Sequence, residues 1–115
     1  MIGFDKKYTH RGSQRNLLGT NPDSELVQSL SNEEQVTAET PPTFLFHTVE
    51  DKAVPVENSI EYFKACRTHG VPVEMHLFPQ GRHGLGLAAS VPGASQWPSL
   101  CEQWLRGLSV IPSQQ

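Results

Sequence analysis

Apolar residues are sparse and irregular over the first forty positions, then fall into regular runs from residue 43 onward. In the early part, "NPDSELVQSL" is the one stretch with a helical stripe. Leu26, Val27 and Leu30 share a face there, and Asp23 stands where an N-cap belongs. "SNEEQVTAETPP" reads as an irregular connection that ends in two prolines. "TFLFHTV" is an apolar, β-rich run of the kind buried on both faces of a sheet. After a loop, "SIEYFKACRTH" sets Ile60, Phe63 and Cys66 at helical spacing, with Gly70 as the stop. "VPVEMHLFP" then alternates, with Val73, Met75 and Leu77 against Glu74, His76 and Phe78. "QWPSLCEQWLRGL" carries Trp97, Leu100, Cys101, Trp104, Leu105 and Leu108 on one helical face.

The order strand, helix, strand, helix predicts an α/β unit. Its two strands run parallel, because a helix long enough to carry the chain back lies between them. The expected organisation is an irregular and helical segment over 1–42, a βαβα unit over 43–110 and a tail over 111–115. Two parallel strands alone make a poor sheet. The pattern therefore predicts a portion of a larger α/β fold, with an unpaired edge prone to self-association.

In a parallel unit, both strands end at the same edge of the sheet, where open α/β folds place their ligands. The loop after the first strand carries Glu50 and Asp51. The loop after the second, "FPQGRHGLGLA", sets His83 among glycines. Adjacent strands lie about 4.8 Å apart, so a carboxylate from one loop can reach an imidazole on the other. A carboxylate on Nδ1–H orients the ring and leaves Nε2 as a base, which is two of the three members of a serine-hydrolase triad. From the residues alone, Glu50 and Asp51 are equal candidates for the acid.

Composition narrows the alternatives. The net charge of −3 comes with scattered Lys and Arg, so the sequence offers nucleic acid no basic stripe. No apolar run approaches the roughly 18 residues of a membrane span. "MIGFDKKYTHRGSQRN" has no signal-peptide core, which leans toward the cytoplasm. Cys66 and Cys101 sit on helical stripes and read as buried free thiols. The five histidines have no metal-ligand spacing; His47 and His76 read as structural strand residues, and His10 and His69 as exposed. "GLGLAA" matches a dinucleotide string, but Pro79 to Arg82 separate it from the strand, Pro92 and Gly93 interrupt soon after, and position 104, where the acid would fall, is Trp.

"PPTFLFHTVEDKAVPVENS" followed by "GVPVEMHLFPQGRHGLGLA" resembles the C-terminal third of α/β-hydrolase esterases. The resemblance is to acetyl-xylan esterase and related carbohydrate esterases, near the dienelactone-hydrolase and prolyl-oligopeptidase branches. It extends upstream through "YTHRGSQRNLLGTNPDSELVQSLSNEEQVT". In that family, H-x-x-x-D-x-x-V-P carries the acid and G-x-H-G-x-G carries the base. The resemblance therefore implies Asp51 as the catalytic acid, in preference to Glu50, and His83 as the general base. It also implies hydrolysis of short-chain esters, with acetylated carbohydrate as substrate and without metal or other cofactor. A peptidase of the prolyl-oligopeptidase kind is an alternative.

The family's nucleophile stands in a G-x-S-x-G elbow ahead of the acid. No such string occurs before Asp51, and "GASQW" lies after His83 and lacks the final glycine. The resemblance thus implies a nucleophile-bearing N-terminal half outside these residues as the natural partner. By itself the chain is expected to be inactive. A non-catalytic interaction module derived from an esterase is the reading from a different class.

Overall fold

The computed structural model describes residues 8–18, 24, 25, 28 and 31–112. Helix α1 spans Arg11–Leu18, strand β1 Thr43–Thr48, helix α2 Glu57–Thr68, strand β2 Val73–Phe78 and helix α3 Trp97–Gly107. Short 3-10 turns at Asn32–Gln35 and Ala94–Gln96 lead into β1 and α3. The helix expected over residues 21–30 falls mostly outside the described residues.

β1 and β2 pair in parallel, in register from Thr43 against Val73 to Thr48 against Phe78. Pro41 and Pro42 have no N–H to give, so the ladder opens after them, with the Thr43 amide donating to Pro72 O at 2.9 Å. At the far end it runs one residue past the strand, through Val49 N–H to Phe78 O at 2.8 Å. Both strands therefore release their loops at the same height. That shared edge positions the site.

Side chains alternate across β1 and divide between two helices. Phe44 and Phe46 face α3, where Trp97 stacks on Phe46 at 4.6 Å and 5°, and Trp104 meets Phe44 at 5.6 Å and a tilt of 45°. Pro98 in the first turn of α3 needs no amide partner there. On the other face, His47 bonds to Ser59 of α2. Beneath α2, Val36, Cys66 and Val71 form the buried cluster, with Tyr62, Ala65 and Val73 packed against it. The result is three layers: helix, two-stranded sheet, helix.

α2 ends as the sequence predicts, with physical detail added. Gly70 takes φ +71°, its amide donates to Arg67 O at 3.2 Å, and Val71 donates to Cys66 O at 2.9 Å. This left-handed closure brings Val71 against Cys66, so the stop signal and the core contact are one feature. The buried face of α2 differs from the expected stripe. Asn58, Ser59 and Cys66 are buried, whereas Ile60 and Phe63 are only partly covered. The helix is turned to bring Ser59 onto His47 and Cys66 onto Val36, and polar partners at Asn58 and Ser59 do not register in an apolar count.

Other expectations are also corrected. Leu77 is 39% exposed, because β2 is an edge strand among the described residues. Leu108 lies beyond the covered part of α3, 38% exposed. Cys66 is fully buried but Cys101 is only half-covered; both thiols are free. α1 was not expected from its polar sequence. It forms with His10 at its cap: the Ser13 amide donates to His10 Nδ1 at 3.1 Å, and the Gln14 amide to His10 O at 3.0 Å. His10 is consequently half-buried. Asn58 ties this segment to α2 by donating to Tyr8 O at 2.8 Å.

Burial pushes the Cys66 thiol up from its ordinary value. In the folded chain Cys66 should therefore resist a maleimide under mildly alkaline conditions while Cys101 is alkylated first. In denaturant the two should react at similar rates. Equal, rapid labelling of both in the folded chain would contradict this packing.

Candidate active site

Asp51 begins a tight loop directly after β1, and its carboxylate serves that loop first. Oδ1 accepts the amides of Ala53 at 2.9 Å and Val54 at 2.8 Å. This is the turn a short carboxylate makes with the backbone two and three residues on. Val54, 6% exposed, anchors the far side, and Pro55 follows. The D-x-x-V-P spacing thus has a local cause: acid, two donated amides, an apolar anchor and a rigid exit.

Oδ2 is left for the second loop. It accepts from His83 Nδ1 at 2.8 Å. A carboxylate is an acceptor only, so Nδ1 carries the hydrogen, and the neutral ring keeps its lone pair on Nε2. The Asp51 side chain is 7% exposed and that of His83 57%. The acid lies under the surface with the ring above it. A cleft of about 680 Å³ opens over the pair, lined by Phe44, Phe46, Arg82 and Leu85 among others.

Burial is the largest single influence on Asp51 and by itself would raise its pKa. The Val54 amide, the His83 hydrogen bond, the Ala53 amide and the charge of His83 together outweigh it. The carboxyl is held below its ordinary 3.8.

His47, read as a structural strand residue, is fully bonded. Its Nε2 lies 2.9 Å from Val54 O, an acceptor only, so Nε2 carries the hydrogen. Nδ1 then accepts the Ser59 hydroxyl at 2.7 Å. The same Nε2 is 3.3 Å from Asp51 Oδ2. His47 therefore backs the acid loop from beneath. His76 bonds to Glu74 at 2.7 Å and His69 to Ala65 O at 2.9 Å, both away from the cleft.

The His83 loop needs its glycines for conformation. Gly84 turns the chain immediately after His83 at φ +75°, a region that costs other residues about 1–2 kcal/mol. Gly81 is buried at φ +134°, and a Cβ there would lie 2.6 Å from Leu85 Cδ1 and 2.9 Å from Thr48 Cγ2. Glu50, the other acidic candidate, faces Gly81: its Oε2 accepts the Gly81 amide at 3.0 Å. The two neighbouring acids thus divide the second loop, Asp51 taking the ring and Glu50 the backbone.

Two residues of the cleft were not picked out from the sequence. His10 and Ser13 line it as well, with Ser13 Oγ 2.7 Å from His10 Nδ1. The signal was a histidine three residues ahead of a serine, the spacing of a helix cap. Among the described residues, no group of three His, Cys, Asp or Glu side chains is placed to hold a metal ion. No helix among them is long and apolar enough to cross a membrane.

Comparison with known proteins gives consistent matches. The model of the prolyl oligopeptidase family matches residues 1–96. The acetylxylan esterase of Xylanibacter ruminicola is 29% identical over 112 residues, which are 94% of this chain and 23% of that protein. Endo-1,4-beta-xylanase B of Butyrivibrio fibrisolvens is 46% identical over 82 residues, 71% of this chain and 13% of that protein. Among solved structures, an acetyl ester-xyloside bifunctional hydrolase from Caldicellulosiruptor lactoaceticus superposes with a TM-score of 0.89 at 50% identity. The match covers 91% of this chain and 39% of that one. A carboxylesterase from Lactobacillus plantarum gives a TM-score of 0.69 at 33% identity, over 89% of this chain and 39% of that one. The chain spans about two fifths of the length of these structures and less of its sequence relatives.

The lowered Asp51 pKa has a pH signature. A carboxyl depressed on folding stabilises the fold fully above its unfolded value, near 3.8. That contribution is lost as the pH falls from there through the folded pKa. The Asp51 carboxyl carbon should accordingly titrate below 3.8 by NMR. Asp51→Asn should remove this part of the acid-dependent loss of stability. A midpoint at or above 3.8 would contradict the geometry.

Proposed function

The chain belongs to the prolyl oligopeptidase family, and from that premise we propose that it supplies the acid and base of a serine esterase acting on acetylated carbohydrate. Asp51 is the acid that orients the ring, and His83 is the general base. One observation carries the reading: the buried Asp51 carboxylate accepts from His83 Nδ1 at 2.8 Å, on a ring that is more than half exposed beside a cleft.

In this reading a serine from polypeptide outside these 115 residues attacks the ester carbonyl, and His83 Nε2 takes the serine proton. The imidazolium, held by Asp51 on its other nitrogen, returns that proton to the departing sugar hydroxyl as the carbon–oxygen bond breaks. The acetyl group remains on the serine. Water then attacks, again giving its proton to His83, and acetate leaves as the proton passes back to serine. Support for the acyl group and the alcohol comes from the relatives, which include an acetylxylan esterase and an acetyl ester-xyloside hydrolase.

Two serines line the cleft: Ser59 gives its hydroxyl to His47, and Ser13 has both its hydroxyl and its amide bonded to His10 at the start of α1. Neither hydroxyl bonds to His83. Ser13 acts as part of a cap, and Ser13→Ala should leave any esterase activity unchanged.

The test uses p-nitrophenyl acetate. The chain alone should give no turnover beyond the background of an exposed imidazole. Adding a polypeptide that carries the G-x-S-x-G half of the fold should produce turnover. His83→Ala or Asp51→Ala should then lower kcat by roughly 10⁴ or more, the scale on which other serine hydrolases respond to triad changes. Turnover by the chain alone that His83→Ala abolishes would place a nucleophile within these residues. Turnover by the assembled pair that survives both substitutions would overturn the reading.

A further inference from the structure

We propose that Thr48 and Glu50 are positioning residues for the base: they grip both backbone groups of Gly81 and so set where the loop presents His83. The proposal rests on the reading of Asp51 and His83 as acid and base. It adds two residues that do not bond to the ring.

Thr48 is the last residue of β1, 4% exposed, and its hydroxyl donates to Gly81 O at 2.6 Å. From the other side of Val49, Glu50 Oε2 accepts the Gly81 amide at 3.0 Å. A residue whose N–H and C=O are both bonded has both flanking peptide planes fixed. Gly81 is held this way at φ +134°, two residues ahead of His83. Thr48 acts with both of its branches. The hydroxyl makes the bond, and the methyl lies so close that a Cβ on residue 81 would stand 2.9 Å from it. Leu85 closes on the same spot from beyond His83, 2.6 Å from that Cβ position. The base is therefore bracketed by an anchored Gly81 and a Leu85 packed against it.

The need for such a grip follows from the weakness of the alternative. His83 is 57% exposed, and a single hydrogen bond to an exposed ring orders a loop poorly. Among the described residues, the ring has one hydrogen bond, to Asp51. The Gly81 contacts are different in kind. One is buried and the other ends on a carboxylate, the stronger class of hydrogen bond. Three residues out of four consecutive positions, Thr48, Glu50 and Asp51, thus hold the second loop at two points. Two set its backbone and one sets the ring.

The experiment follows two quantities by NMR in the 115-residue chain: hydrogen exchange of the Gly81 amide and the backbone order parameter of His83. Glu50 lies at the surface, so Glu50→Ala leaves the core intact and carries the test. It should speed Gly81 exchange on the order of 10- to 100-fold, as expected for loss of a bond to a charged acceptor. The order parameter of His83 should fall from about 0.85 toward 0.6 or lower. Glu50→Gln keeps an acceptor in place and should restore most of both, which a purely electrostatic role of the charge would not allow. Thr48→Val, which keeps the shape and removes the donor, should loosen His83 as well, and Thr48→Ser should loosen it less. Unchanged exchange and order in Glu50→Ala would overturn the proposal. Neither readout needs a substrate, so the two readings fail separately. Esterase activity indifferent to Asp51→Ala would remove the catalytic reading, while a loosened loop in Glu50→Ala would still support the grip.

Discussion

A carboxylate has two oxygens, and the site depends on how Asp51 divides them. Oδ1 closes its own loop, and Oδ2 reaches across to the loop that holds His83. Hydrogen bonds to a charged group contribute about 1.5–3 kcal/mol each, so donors on both oxygens offset the cost of keeping a charge under the surface. An acid held only by its own loop could swing away from the ring. One held only by the ring would leave the amides of Ala53 and Val54 without their acceptor. The same side chain meets both demands, and His47 beneath it fixes the distance of the loop from α2.

The parallel pairing makes this division possible. β1 and β2 keep register to their last residues, so the two loops leave the sheet side by side although the chain between them includes a helix of 12 residues. The core stations behind that edge are few: Cys66, Val36 and Val71 under α2, and the Phe44, Phe46, Trp97 and Trp104 rings under α3. Helix α2 also supplies Ser59, whose hydroxyl holds His47. Packing and site are linked through one residue of one helix.

Much of this frame was legible in the residues, for physical reasons. A strand buried on both faces and a turn glycine after a helix leave strong local patterns, and "TFLFHT" and Gly70 read as they fold. The D-x-x-V-P and G-x-H-G-x-G spacings read well because each encodes backbone geometry: a carboxylate closing its own turn, and a chain passing through positive φ around one imidazole. The features that did not read depend on polar partners distant in sequence. The buried face of α2 turns on Ser59 meeting His47, which an apolar count at helical spacing misses. α1 forms on a histidine cap with no stripe to announce it. The separate tasks of Glu50 and Asp51 cannot be told from composition. They follow from which of the two adjacent side chains meets Gly81 and which meets His83, and that is set only when the two loops are side by side.

The central claim is that Asp51 holds His83 as the Nδ1–H tautomer with Nε2 free. The most direct measurement is the pair of ring-nitrogen chemical shifts of His83 in the 15N-labelled chain with the ring neutral. The account predicts a protonated Nδ1 and an unprotonated Nε2, with that preference lost in Asp51→Ala. A ring protonated on Nε2, or one with mixed tautomers that Asp51→Ala leaves unchanged, would contradict it.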